Sequence, residues 1–203
     1  MIGDNPHADL VQFLWDNAEF TAGGSMRTDF GELAQGCEVF EPVVVTKPHM
    51  VKVGPHCRID SFVKIEGGKG VTIGTYVHVA SFAHLNIGGG ELRIGDYAAV
   101  ASGAKVISGS NQTDAPSMSA CAPAGIQKVA TKVTTLEKYS CVLTNSVVVP
   151  GVTLHEGAVL GAGAVATRDI PAWEIWTGVP AKFLAKRPQV LVNDSPAFVE
   201  IDA

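Results

Sequence analysis

Residues 142–165 read VLTNSVVVPGVTLHEGAVLGAGAV, a run in which every sixth residue is aliphatic and a residue no larger than valine follows four places later. Twelve units of this form occur in the chain, starting at Val53, Ile59, Ile73, Val79, Ile94, Val100, Val106, Leu136, Val142, Val148, Leu154 and Leu160. Their fifth residues are Cys57, Val63, Val77, Ala83, Ala98, Ala104, Ser110, Ser140, Ser146, Val152, Ala158 and Ala164. A fixed short period is typical of a solenoid, in which each turn of chain buries its apolar face against the next turn. Three units close one triangular coil, with the aliphatic side chains inside and the small residues at tight corners, so the sequence predicts an all-β fold, a parallel β-helix.

Extra residues interrupt this repeat at defined places. Successive coils begin 20, 21, 42 and 18 residues apart, at Val53, Ile73, Ile94, Leu136 and Leu154. Three uninterrupted units would give a spacing of 18, so the surplus lies in insertions at residues 67–70, 88–90 and about 108–132. The long insertion is rich in Ser, Asn, Pro and Ala, and a loop of that length on a compact scaffold is usually functional or disordered. In a solenoid, such insertions mark the working face.

The composition is that of a folded acidic protein. A chain of 203 residues with 46% hydrophobic and 17% charged residues is large enough for one domain with a buried core. The net charge of -5 argues against a nucleic-acid-binding surface. The start of the chain lacks a basic region followed by an apolar stretch, and no apolar run is long enough to span a bilayer, so we expect a cytoplasmic protein without a membrane partner. The four cysteines form no CxxC pair and are predicted to be reduced thiols.

We predict a single domain over residues 1–203, divided into three parts. Residues 1–38 form an N-terminal cap with a helix over about residues 6–20, and residues 39–172 form the β-helix. Residues 173–203 form a C-terminal segment, in which Phe183 and Leu184 after Pro180 suggest a short helix. Caps are expected because stacked coils leave unpaired strand edges at both ends.

Four stretches carry a resemblance to a known family. They are Ile94-Gly95-Asp96-Tyr97, then LGAGAV at residues 160–165, Asp169-Ile170-Pro171, and GVPAK at residues 178–182. Over roughly residues 53–187 the chain resembles the hexapeptide-repeat acyltransferases and is similar to the galactoside and maltose acetyltransferases and to the sugar acetyltransferases of surface-polysaccharide synthesis. The resemblance implies a left-handed β-helix, a homotrimer with active sites between subunits, and acetyl-CoA as the acyl donor.

The same resemblance places the acetyl-CoA contacts of the family on Thr144, Ala162, Thr167 and Lys182. These residue types suit the task, because a small residue lets the pantetheine arm approach the backbone and a lysine suits the coenzyme phosphates. The structural alternative is that tight corners need small residues whatever they bind.

Transfer of an acetyl group to a hydroxyl or an amine needs a base, and imidazole is the usual one. In the galactoside and maltose enzymes the catalytic histidine aligns with Asn111 here, and an acceptor-binding asparagine aligns with Ser81. We therefore expect a different acceptor, a relocated base or no catalysis. Polysaccharide-type members carry a histidine before a Gly-rich stretch, which points to His84, ahead of Gly88-Gly89-Gly90, as the base. Sequence spacing identifies no carboxylate partner for His84, and His78 is the second candidate.

The sequence leaves several functions open. The first interpretation is an acetyl-CoA-dependent O-acetyltransferase for a saccharide or sugar nucleotide of surface-polysaccharide synthesis, with Ser81 and Asn111 near the acceptor. The second is an N-acetyltransferase for a nucleotide-linked amino sugar, and the third is a non-catalytic β-helix scaffold. A carbonic-anhydrase-type metal enzyme would need three converging histidines, and no third partner for His78 and His84 is evident. The remaining histidines are expected to be structural or incidental, namely His7, His49, His56 and His155.

Overall fold

The computed structural model describes residues 30–189, in which the chain winds into triangular coils whose strands stack into three sheets, parallel except for the last strand of sheet B. Sheet A contains β1 (Glu32–Leu33), β4 (Val51–Val53), β7 (Gly70–Ile73), β10 (Glu91–Ile94), β15 (Val133–Leu136) and β18 (Thr153–Leu154). Sheet B contains β2 (Glu38–Val39), β5 (Arg58–Ile59), β8 (His78–Val79), β11 (Ala99–Val100), β16 (Cys141–Val142), β19 (Val159–Leu160), β21 (Glu174–Thr177) and β22 (Lys182–Lys186). Sheet C contains β3 (Val44–Thr46), β6 (Lys64–Glu66), β9 (His84–Asn86), β12 (Lys105–Ile107), β17 (Val147–Val148) and β20 (Val165–Ala166). The predicted parallel β-helix is confirmed.

The repeat fixes which side chains fill the interior. All twelve aliphatic starting residues are buried, with at most 3% of their surface exposed. The strand residues next to these buried ones lie on the outer surface of the sheet, because successive residues of a strand point to opposite faces. Among the predicted corner residues, Ser110 is exposed rather than buried. The reason is that the chain leaves the coil at Ser108, so Ser110 belongs to the inserted loop.

The turns from sheet A to sheet B, here called the A/B corner, carry a column of stacked rings. The centroids of neighbouring rings lie 4.8 to 6.2 Å apart, along the series His56, Tyr76, Tyr97, Tyr139 and Trp173. All five residues adopt positive φ, between 56° and 61°. The guanidinium of Arg187 lies 5.6 Å from the Trp173 ring centroid and closes the C-terminal end of the column.

The insertions lie together at the turns from sheet C to sheet A, the C/A corner. A 3-10 helix (Pro48–Met50) occupies this corner in the first coil, and residues 67–69 and 87–90 occupy it in the next two. Residues 108–132 then leave the coil as a loop that contains the antiparallel pair β13 (Gly109–Asn111) and β14 (Val129–Thr131) and a second 3-10 helix (Ala124–Ile126). A Cβ on Gly88 would lie 2.9 Å from the carbonyl oxygen of Gly109, so the glycine lets the loop base pack directly on the preceding coil.

The C-terminal segment differs from the prediction. Residues 182–186 form strand β22 rather than a helix, and β22 pairs antiparallel with β21 at the end of sheet B. The turn of residues 178–181 reverses the chain, with Gly178 at φ 93°, and the strand then satisfies the free edge of β21. Phe183 and Leu184 are 52% and 62% exposed, so they do not form the apolar face expected of a docked helix.

At the N-terminal end of the β-helix, strand pairing begins before residue 39, the start predicted from the repeat. Glu32 and Leu33 of β1 already pair with β4. The helix predicted over residues 6–20, His7 and the tail from residue 190 lie outside the described residues.

Candidate active site

His84 begins β9 and lies on the outer face of sheet C, because the next residue, Leu85, is fully buried. Its Nε2 lies 3.1 Å from Oε1 of Glu66, a residue of the preceding coil. Nζ of Lys64 lies 3.0 Å from the same carboxylate oxygen. The side chains of His84 and Glu66 are 28% and 23% exposed, so both groups are partly shielded yet within reach of a ligand.

The charge of Glu66 follows from this arrangement. Burial is the largest influence on its carboxyl group and raises the pKa, but the hydrogen bonds and charges of Lys64 and His84 together outweigh it. The pKa of Glu66 therefore lies below its ordinary value, and the group is a carboxylate at neutral pH. Because a carboxylate only accepts hydrogen bonds, Nε2 of His84 donates the hydrogen of this pair, and Nδ1 is the nitrogen that accepts in the neutral imidazole.

Two other histidines are held in the same way. Nε2 of His78 lies 2.9 Å from Oδ2 of Asp60, and Nδ1 of His155 lies 3.2 Å from Oε1 of Glu137. Each carboxylate stands 18 residues before its histidine, as Glu66 does before His84. His78 and His155 are 45% and 43% exposed, so His84 is the most shielded of the three.

Sequence reasoning missed Glu66 as a partner of His84. In this coil, His84 pairs in register with Lys64, and Glu66 lies two residues further along the same outward face. The signal in the sequence was the acid that precedes three histidines by 18 residues, which only the register of the sheets turns into a contact.

Several predicted site residues share one edge of the molecule. The turns from sheet B to sheet C, the B/C corner, form a column in which Ser81, Ser102, Thr144 and Ala162 occupy equivalent places, as the backbone hydrogen bonds from Gly103 to Ser81, from Asn145 to Ser102 and from Gly163 to Thr144 show. Thr144 and Ala162 are exposed and adjacent. With a spacing of about 4.8 Å per coil, Ser81 and Ala162 lie about 14 Å apart along this edge.

The GVPAK run reaches the same edge. The backbone N–H of Val165 donates to Gly178, and that of Ala181 donates to Val165, so the turn of residues 178–181 rests on the start of β20, beside the B/C corner. Lys182 is exposed, and within residues 30–189 its ammonium group makes no recorded ion pair or hydrogen bond. By contrast, Lys186 is bound to Glu174 at 2.6 Å.

Two predicted site residues lie elsewhere. Thr167 follows β20 and Asn111 ends β13, so both are at the C/A corner, at the opposite edge of sheet C from Thr144 and Ala162. The side-chain amide of Asn111 donates to the carbonyl oxygen of Met118 and holds the inserted loop together. His84, Ser81, Thr144, Ala162 and Lys182 are therefore the predicted residues that this fold brings to one edge.

Three other features of the described residues bear on function. Within residues 30–189 no three His, Cys, Asp or Glu side chains cluster as metal ligands. No helix in that part of the chain is long and apolar enough to cross a membrane. A shallow depression of about 500 Å³ lies on the outer face of sheet A, lined by residues that include Thr72, Arg93 and Thr135, and it is separate from His84.

Comparison with known proteins gives three relevant similarities, although no family model matches the sequence. A dTDP-4-amino-4,6-dideoxy-D-glucose acyltransferase of Escherichia coli is 30% identical over 150 residues, covering 73% of this chain and 78% of that protein. A serine-to-cysteine variant of AntD, an N-acyltransferase of Bacillus cereus solved with dTDP-4-amino-4,6-dideoxyglucose and coenzyme A, superposes with a TM-score of 0.75 at 25% identity, covering 79% of this chain and 86% of that one. A hexapeptide-repeat acetyltransferase of Vibrio cholerae, complexed with acetyl-CoA, has a TM-score of 0.56 at 20% identity, covering 81% of this chain and 75% of that one, and shows likeness of fold alone.

Proposed function

This chain belongs to the hexapeptide-repeat acyltransferases, and from that membership we propose that it transfers an acetyl group from acetyl-CoA to the amine of a nucleotide-linked amino sugar. The observation that carries the proposal is the His84–Glu66 pair, which stands beside the same corner as Thr144 and Ala162. The amine acceptor is supported by the Escherichia coli relative and by AntD, whose names state a dTDP-linked 4-amino sugar and N-acyl transfer. This second interpretation of the sequence therefore fits better than transfer to a hydroxyl.

His84 acts as the base in this proposal. Glu66 accepts the Nε2 hydrogen, which leaves the Nδ1 lone pair to take a proton from the acceptor amine as its nitrogen attacks the thioester carbonyl. The new C–N bond forms, the C–S bond breaks, and the proton held on His84 passes to the departing thiolate. The negative charge of Glu66 stabilises the imidazolium while it exists.

The acyl donor lies along the B/C corner. Acetyl-CoA supplies an activated thioester carbon, and the chain supplies a path for it from Lys182 past Ala162 and Thr144 towards Ser81. The exposed ammonium of Lys182 would bind the coenzyme phosphates, and the lack of a bulky side chain at Ala162 leaves room for the pantetheine arm. Ser81 lies at the acceptor end of this path. Asn111 and Thr167 lie at the C/A corner, so they could contact the acceptor or the donor only in a second subunit or after a movement of the inserted loop.

The assembly belongs to the same proposal. A homotrimer with active sites between subunits is the arrangement that the family resemblance implies. The inserted loop supports it, because Met118, Ile126 and Val129 expose 51%, 42% and 47% of their surface to solvent in a single chain. Sedimentation velocity gives the mass directly, and a monomer at micromolar concentration would contradict the intersubunit site.

The test of the reaction is a panel of acceptors with acetyl-CoA, read by product mass. We expect an acetylated product with dTDP-4-amino-4,6-dideoxyglucose and none with dTDP-glucose, which has the hydroxyl but lacks the amine. Product from the hydroxyl sugar alone would restore O-transfer. No product from any acceptor, together with no acetyl-CoA binding by calorimetry, would leave the scaffold function.

A further inference from the structure

A second ring column stands at the B/C corner, and it differs from that of the A/B corner in being open. The rings of Phe62 and Phe82 stack with centroids 5.0 Å apart and planes 6° apart. The next coil places Gly103 at the equivalent position, and the coils beyond place Asn145 and Gly163 there. The column therefore stops at Phe82, whose side chain is 64% exposed.

The space above Phe82 is a layer that lacks a ring. All members of the column, glycine or not, have φ between 57° and 71°, so Gly103 continues the backbone path of Phe62 and Phe82 but adds no side chain above Phe82. Each coil adds about 4.8 Å, which leaves one ring-thick layer above Phe82. One layer beyond Asn145, a Cβ on Gly163 would meet nothing within 4 Å.

Polar groups line the back of this layer. A Cβ on Gly103 would overlap Oδ1 of Asn145, so the Asn145 amide leans into the Gly103 layer. Within residues 30–189 that amide has no recorded hydrogen-bond partner. Nζ of Lys105 lies 3.2 Å from the carbonyl oxygen of Gly103, and Lys105 pairs in register with His84. A planar face, an amide at its edge and an ammonium group thus meet next to the candidate base.

We infer that Phe82, Asn145 and Lys105 form a binding ledge for the pyrimidine nucleoside diphosphate part of the acceptor. The base stacks on the open face of Phe82, its imide edge meets the Asn145 amide, and the diphosphate lies near the Lys105 ammonium. Stacking of a base on an aromatic side chain contributes about 1–3 kcal/mol, and phosphate oxygens favour lysine. The proposed donor path from Lys182 ends at Ser81, next to Phe82, so the thioester end of the donor and the acceptor meet at this end of the edge.

This inference rests on the proposed function for the identity of the acceptor, but its test does not need turnover. Calorimetry with dTDP alone measures the ledge directly in the full-length protein. We expect Phe82→Ala to raise the dissociation constant for dTDP about tenfold or more, with acetyl-CoA affinity kept within about twofold. Phe62→Ala is the matched control, because it removes an equal ring whose upper face is already covered, and it should change dTDP affinity by less than about threefold.

Two further variants guard against loss of fold. Phe82→Leu keeps an apolar side chain on the corner but no stacking face, and it should weaken dTDP binding nearly as much as Phe82→Ala. Phe82→Trp enlarges the face and should keep or tighten binding. Lys105→Gln should weaken dTDP and lessen the salt dependence of its binding.

Each outcome separates this inference from the proposed reaction. If the wild type binds dTDP, Phe82→Ala does not bind it and neither protein transfers an acetyl group, then the ledge is supported and the proposed reaction is refuted. If wild type acetylates the dTDP-amino sugar while Phe82→Ala and Phe82→Leu keep its dTDP affinity, the reaction stands and the ledge is refuted. Absence of dTDP binding by the wild type also refutes the ledge.

Discussion

Replacing Glu66 by glutamine tests how His84 is held. The side chain keeps its shape but loses the charge that accepts the Nε2 hydrogen at 3.1 Å. A hydrogen bond to a charged group contributes about 1.5–3 kcal/mol and a neutral one about 0.5–1.5 kcal/mol, so the change removes about 1–1.5 kcal/mol. Both groups are about a quarter exposed, which places the effect at the lower end of that range. Since about 1.4 kcal/mol corresponds to a factor of ten, an effect of about 1 kcal/mol should lower kcat about fivefold, with little change in KM.

The assay is release of coenzyme A thiol, followed with a chromogenic disulfide at saturating acetyl-CoA and dTDP-4-amino-4,6-dideoxyglucose. Asp60→Asn is the matched control, because Asp60 binds His78 at 2.9 Å and the substitution removes the same charge from the same kind of pair. Its kcat should stay within about twofold of wild type. Equal kcat for Glu66→Gln and wild type, or equal losses in the two variants, would refute the role of Glu66.

Three further results are expected. Because the pKa of Glu66 is lowered, its charge stabilises the fold above the ordinary carboxyl pKa, and this stabilisation is lost as the pH falls through the lowered value. The Tm difference between wild type and Glu66→Gln should therefore be greatest above about pH 5 and vanish in more acid solution. A Tm difference that does not depend on pH would contradict this. Lys182→Ala should raise the KM for acetyl-CoA about fivefold or more and leave the KM for the sugar nucleotide unchanged, whereas equal rises would argue against a phosphate contact. Gly157 and Gly163 have nearly the same φ, 67° and 66°, but a Cβ at Gly157 would overlap the Trp173 ring, whereas one at Gly163 would meet nothing within 4 Å. In thermal unfolding, Gly157→Ala should therefore lose about 1–3 kcal/mol more stability than Gly163→Ala. Equal losses of stability would contradict the packing of Trp173.

The repeat allowed the core to be predicted residue by residue, because a six-residue period determines which side chains point inward whatever the corners do. The prediction was wrong at Ser110, because the six-residue pattern continues to residue 110 although the chain leaves the coil at Ser108. It also could not show that Phe183 and Leu184 lie in a strand. Their conformation follows from the free edge of β21, which exists only once the coils are stacked.

The candidate site could likewise be predicted only in part from the sequence. The resemblance in sequence predicted roles for His84, Thr144 and Ala162, and the fold places the three along one edge, while the roles themselves stay predictions. The Glu66 carboxylate could not be assigned from spacing, because the coil between residues 64 and 84 is 20 residues long and the contact is diagonal rather than in register. The open layer above Phe82 likewise depends on which glycine follows it in space.

The most direct test of the account is the kcat of His84→Ala beside that of His78→Ala, measured at neutral pH with acetyl-CoA and dTDP-4-amino-4,6-dideoxyglucose. Both variants remove a histidine from a carboxylate on an adjacent coil, but only His84 stands at the proposed site. We expect His84→Ala to lose about a hundredfold or more and to regain activity as the pH rises and the amine loses its proton in solution, while His78→Ala stays within about twofold of wild type. Full activity in His84→Ala, or an equal loss in both variants, would contradict the assignment of His84 as the base.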